Sequence, residues 1–182
     1  MYTVIGLDPG LASLGWGVVQ WSGVLNAPPK YVSHGCFSTD NSESIPARMD
    51  SLIREVNGLF KSHDSMGMQV AVEAWVPYAG AGGGGAGANT MRVCGAIRAL
   101  ALVWQTSCTE YTAQAAKGIV LNGNRNASKS EVQSGVQKLL GLSKVPRPNH
   151  AADGLLLAIA HTMRQESSAL VTSHSIVRKK TV

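Results

Sequence analysis

Charge is scarce in this chain of 182 residues: Asp, Glu, Lys and Arg make up 15% of it, and aromatic residues only 5%. With apolar residues at 45%, the composition excludes a disordered, self-repelling polymer. Three cysteines, Cys36, Cys94 and Cys108, form no Cys-x-x-Cys pair, and an odd number leaves one unpaired however the others bond. That argues against a disulfide framework and a cysteine-rich zinc site, and it suits a reducing compartment. No apolar run approaches the roughly 20 residues needed to span a bilayer. The chain opens on a strand-like run, Tyr2 to Leu7, and not on a charged segment followed by an apolar one. The expectation is a cytoplasmic protein without a membrane partner. Within the small charged fraction, 16 Lys and Arg outnumber 11 Asp and Glu, for a net charge of +5. A basic balance of this size favours a polyanionic partner.

The length fits one domain. Thr3 to Leu7 is a buried strand that meets a turn at Asp8-Pro9-Gly10, and Gly15 to Trp21 and Tyr31 to Ser38 continue as an antiparallel meander. Ser44 caps a helix to about Lys61 with an apolar stripe. Gln69 to Glu73 is a fourth strand, followed by a Gly/Ala segment, 78 to 88, expected as a mobile loop. Asn89 caps a helix through Gln105 that is apolar on most faces. Ser107 to Tyr111 is a fifth strand, 113 to 121 a helix, and Ser128 to Glu131 a capping box that opens a helix to Leu140. Asn149 caps the last helix, His150 to about Glu166, and 167–182 reads as a polar, basic tail. Strands first, then strands alternating with helices, give an α/β fold: a five-stranded mixed sheet flanked by helices.

Asp8 and Glu73 each end a buried strand, where open α/β sheets place their ligands. Either one alone is most often an ordinary turn residue. Together, on neighbouring strands, two like charges are costly unless a cation lies between them. His150 and Asp153 are three apart at the start of the last helix and share a face. A charged residue in so apolar a helix needs a partner. Three carboxylates with one imidazole suit Mg²⁺ or Mn²⁺ better than Zn²⁺. Two such ions, about 4 Å apart, can activate a water and stabilise the leaving oxygen of a phosphodiester.

Gly6-Leu7-Asp8-Pro9-Gly10-Leu11 followed by Gly15-Trp16-Gly17-Val18-Val19 resembles the opening of the RuvC Holliday-junction resolvases. Val70-Ala71-Val72-Glu73 resembles their second acidic strand. Ala115 to Val120 and Ala127 to Gln133 resemble their basic segment. Asn149-His150-Ala151-Ala152-Asp153-Gly154-Leu155 resembles their closing motif, with histidine in place of the first aspartate. The resemblance, over residues 2 to 163, implies an RNase H-like domain spanning 1–166. It implies a nucleoid-associated homodimer that cuts four-way junction DNA by paired, metal-dependent nicks, leaving 5′-phosphate and 3′-hydroxyl ends. A branch-migration complex is a further implied partner. Asp8, Glu73, His150 and Asp153 become ligands for two Mg²⁺ or Mn²⁺ ions, and Lys117 and Lys129 become phosphate-binding lysines. The helix from Asn89 to Gln105 becomes the dimer helix, which accounts for its apolar surface.

Two departures stand out. Val76 occupies the place of the family's aromatic wedge, with Trp75 and Tyr78 on either side, so the wedge is to be assigned among these three. The loop carrying Arg125 is about one residue longer than usual, which bears on sequence preference at the cut. Other readings are an RNase H-like nuclease for structured RNA, a kinase of the actin-like class, and a junction binder without catalysis. A kinase of that class needs two such domains and a second phosphate motif. An intact acidic set argues against the binder.

Overall fold

The computed structural model describes residues 1–24, 27–64, 67–76 and 85–179. Period-two alternation divides each strand's side chains between two faces of one sheet. In β1 (Tyr2–Asp8), Ile5 and Leu7 join one apolar cluster, while Val4 joins the other. The same division holds for β2 (Ser13–Trp21), β4 (Gln69–Glu73) and β5 (Ser107–Tyr111), and β3 (Lys30–Ser38) completes the sheet. The order is β3-β2-β1-β4-β5. β3, β2 and β1 pair antiparallel, and β1, β4 and β5 pair parallel, as the mixed-sheet expectation requires.

Helices cover both faces. α1 (Ile45–Ser62) supplies Leu52, Val56 and Phe60 to the Ile5–Leu7 side, and α2 (Gly85–Val103) adds Val93 and Ile97. α3 (Ala113–Val120), α4 (Lys129–Leu139) and α5 (Asn149–Lys179) cover the other side, where Leu155 to Ala160 are all buried. Start signals match the helices: Ser44 caps α1, Thr112 caps α3, and Ser128 with Glu131 forms the capping box of α4. This layered arrangement is the RNase H-like α/β fold.

At a row of glycines α5 lies so close to the sheet that no side chain would fit. A Cβ on Gly6 would sit 2.0 Å from the Gly154 carbonyl oxygen, and one on Gly15 would sit 1.9 Å from that of His150. A Cβ on Gly17 or Gly154 would also meet backbone, at 2.5 and 2.7 Å. Two turns further along α5, His161 is 1% exposed between Tyr111 and Gln69. Its Nε2 donates to Gln69 Oε1 at 2.8 Å and its Nδ1 accepts from the Tyr111 hydroxyl at 3.0 Å. Burial holds this imidazole below its ordinary pKa, in keeping with a neutral ring.

Both ends of α2 and of α5 differ from expectation. α2 begins at Gly85, not Asn89, and ends at Val103, not Gln105. Residues 85 to 88 are helical, not loop, because Gly87 packs beside Trp75: a Cβ there would be 3.0 Å from the indole nitrogen. The rest of the expected glycine loop, 78–84, lies outside the described residues. α5 runs to Lys179, past Glu166, since no Gly or Pro follows Leu155 to end it. Asn149 is the first residue of α5 and not its cap; its side-chain oxygen accepts from Gln133 Nε2 at 2.9 Å. All three cysteines are free, and no helix among the described residues is long and apolar enough to cross a membrane.

Candidate active site

Three elements converge at the end of β1. Register pairs Leu7 with Val72, so one residue further on Asp8 and Glu73 end neighbouring parallel strands side by side. Both follow the alternation onto the α5 side of the sheet, as do Gly6 and Ala71. Asp8 also pairs with Gly15 of β2, and the missing Gly15 side chain lets His150 close over it. The glycine seam thus sets the height of α5 above the strand ends, and the first turn of that helix delivers His150 and Asp153 to one place.

His150 Nδ1 lies 2.7 Å from Asp8 Oδ2. An ionised carboxylate only accepts, so the imidazole donates through Nδ1, and Nε2 is not engaged by Asp8. Asp8, His150 and Asp153 each offer a ligand atom, and these atoms all lie within 4.8 Å of one another. Glu73 falls outside that compact set but is electrostatically part of it. Burial first, then the charges of Asp8 and Asp153, push its carboxyl up to about 7. Burial and Asp8 likewise raise Asp153 to about 6, and burial raises Asp8 in spite of its His150 partner. These shifts describe negative charge crowded into a half-buried place, which a divalent cation would offset. An oxygen-rich set with one imidazole is also the right donor chemistry for a hard ion.

The basic residues frame this cluster unevenly. Lys117 on α3 and Lys129 at the start of α4 are close enough for their charges to favour ionised Asp153. Lys117 is half-buried and donates from Nζ to the Ala127 carbonyl at 2.8 Å, which ties α3 to the turn before α4. Lys129 is exposed. Arg125 is exposed and extends over Gly118. Trp75 and Val76 follow Glu73 after Ala74 and are 38% and 48% exposed. Tyr78 lies outside the described residues. Sequence reading missed Arg48, whose guanidinium is held near His150 by Thr39. Nothing in the sequence distinguishes it from a solvated charge in the first turn of α1.

Comparison with known proteins identifies the family. The family described as crossover junction endodeoxyribonuclease RuvC matches residues 4–161. The RuvC of Rubrobacter xylanophilus is 34% identical over 170 residues, 91% of this chain and 88% of that protein. The RuvC of Nitrosomonas eutropha is 35% identical over 161 residues, 87% of this chain and 83% of that protein. The solved structure of Thermus thermophilus RuvC superposes with a TM-score of 0.77 at 25% identity, covering 91% of this chain and 96% of that one. The same protein in complex with a Holliday junction substrate gives a TM-score of 0.75, again at 25% identity, covering 88% of this chain and 93% of that one. A strand-end aspartate and glutamate facing a helix-borne histidine and aspartate are therefore found in a chain that belongs to the RuvC family of crossover junction endodeoxyribonucleases.

Proposed function

We propose that this chain resolves four-way DNA junctions as a homodimer, nicking two opposed strands at sites built on Asp8, Glu73, His150 and Asp153. The observation that carries the reading is the compact set of Asp8, His150 and Asp153 with Glu73 beside it, in a chain of this family. These four side chains would hold two Mg²⁺ or Mn²⁺ ions. Such ions supply Lewis acidity, which activates a water and neutralises charge on the leaving oxygen. Lys117 and Lys129 bind backbone phosphate at the mouth of the site, and their charges favour the ionised form of Asp153. Trp75 stacks on a base exposed at the junction, because its ring is partly open and braced against Gly87. Val76 and Tyr78 come after it in the chain and share the contact with DNA, and Arg125 contacts the backbone beyond the cut. With no covalent intermediate, the products carry 5′-phosphate and 3′-hydroxyl ends.

The dimer forms through α2. Met91, Gly95, Ala99 and Leu102 recur at helical spacing along an exposed face, and Gly95 has open space where a side chain would stand. Small residues in the middle of an apolar stripe allow two helices to approach closely. A two-fold axis through this contact matches the pseudo-symmetry of an open junction.

Asp8→Asn tests the reading. The variant is expected to bind a synthetic four-way junction yet release no nicked product with Mg²⁺ or Mn²⁺ present, a loss of at least about 10³-fold, as when a comparable charge stabiliser is removed. Undiminished cleavage would sink the assignment. Competition between junction, linear duplex and structured RNA separates this activity from an RNA-directed one.

A further inference from the structure

Two clefts open on either side of the Asp8–His150 pair. One, of about 220 Å³, is bounded by Asp8, Glu73, Trp75, Val76 and Thr112. The other, of about 370 Å³, is walled by the turn from Gly10 to Ser13 together with Arg48, Asn89 and His150. Thr90 of α2 lines both, and Asp8 on one side bonds His150 on the other, so they are two halves of one trough across the strand ends.

Their chemistry differs. The first half carries two carboxylates. The second carries none: its polar side chains are a guanidinium, an imidazole, two hydroxyls and an amide. Arg48 is half-buried and held in place. Its Nε donates to Thr39 Oγ1 at 2.9 Å, and that hydroxyl donates to the Leu11 carbonyl at 2.7 Å. With Nε committed, the terminal nitrogens of the guanidinium are left for another acceptor. The ion pairs found among the described residues, Arg98–Glu110 and His150–Asp8, do not include Arg48. Asp40 feels the Arg48 charge only weakly; this exposed carboxylate is held chiefly by the Ser42 N–H at 2.8 Å. A fixed, half-buried cation with no ion-pair partner among the described residues, in a cleft rich in donors and with no carboxylate in its described lining, is a site for an anion.

We infer that the cleft walled by Arg48 is a second nucleic-acid subsite, in which the guanidinium binds a backbone phosphate of the cleaved strand beside the scissile one. The inference rests on the junction-nuclease reading, because the trough is continuous with the candidate metal ligands. It gives the strand a path: from the Trp75 half, over Asp8 and His150, into the Arg48 half.

The test pairs Arg48→Gln with junctions that carry a single neutral methylphosphonate, moved one position at a time along the cleaved strand. Wild-type protein is expected to lose roughly tenfold in affinity when the phosphate facing Arg48 is neutralised. Arg48→Gln loses a similar factor on the unmodified junction, is indifferent to that one methylphosphonate, and has a salt slope shallower by about 0.9. If the variant's loss multiplies with every methylphosphonate alike, or if it binds as tightly as wild type, Arg48 serves only to brace Thr39 and the inference fails. If wild-type protein does not bind the unmodified junction, the function proposed above fails, and this subsite with it. Thermal unfolding of Arg48→Gln separates lost contact from lost fold: a matching melting temperature with the coupled affinity loss supports the subsite, and a collapsed one without position-specific coupling overturns it.

Discussion

At the scale of single residues, the acidic cluster trades stability for function. Glu73 is held near 7 by burial and by the charges of Asp8 and Asp153, against an ordinary value of 4.5. A carboxyl whose folded pKa is raised destabilises the folded state above that pKa, and the penalty vanishes below the unfolded value. Without metal, Glu73→Gln is therefore expected to be more stable than wild type at pH 8, on the order of 1–3 kcal/mol. The advantage shrinks as pH falls through 7 and is gone near 4.5. Adding Mg²⁺ or Mn²⁺ narrows the difference at pH 8 by stabilising wild type more than the variant. Denaturant unfolding at three pH values, with and without metal, checks each part; an unstable variant at pH 8 would contradict the electrostatic account. The residues behind this prediction were legible in the sequence because position carries chemistry: Asp8 and Glu73 end apolar strands, and His150 and Asp153 share a helix face. Lys117, Lys129 and Arg48 were not legible from residue type alone, since a lone cation on a helix looks the same whether it meets solvent or a site.

Among the elements, the tightest constraint is the seam between α5 and β2. The meander, the caps at Ser44 and Ser128 and the strand ends could be read from alternation, capping residues and turn residues, and the structure has them, whereas Asn89 and Asn149 fall within their helices. The ends of α2 and α5 could not. Gly and Ala at 85–88 look like loop composition until Trp75 is brought beside Gly87, and a polar run after Glu166 continues as helix because nothing stops it. The seam belongs to this second kind: Gly15 reads as a small strand residue, while its role is set by a helix more than a hundred residues away. Gly15→Ala places a methyl 1.9 Å from the His150 carbonyl oxygen and 2.7 Å from its Cβ, so the start of α5 must shift. The expected cost is at least about 1–3 kcal/mol, with a loss of cleavage of about 100-fold, because the helix that moves carries His150 and Asp153. Gly58→Ala, in the middle of α1 with nothing within 4 Å, is the control and is expected to gain up to about 1 kcal/mol with unchanged cleavage. Equal melting temperatures and rates for the two variants would show that the seam does not hold the site.

Over the whole molecule, α2 joins the cleft to the proposed dimer. Thr90 lines both halves of the trough, and Met91, the next residue, begins the exposed apolar stripe. One helix thus sets how far apart and in what orientation the two clefts of a dimer stand. Leu102 is 77% exposed at the far end of that stripe and contributes little to the core of its own chain. Leu102→Asp is therefore expected to leave the melting temperature of the monomer within a few degrees while opposing association, since a charge would be buried against its own copy. Sedimentation would then show monomers. On a supercoiled plasmid with an extruded cruciform, two coordinated nicks give linear DNA and a single nick gives a relaxed circle. Wild type is expected to yield mainly the linear form and Leu102→Asp mainly the circle, with its acidic cluster unchanged. A variant that remains dimeric, or that still linearises the plasmid, would move the interface off α2 and with it the geometric reason for paired cutting.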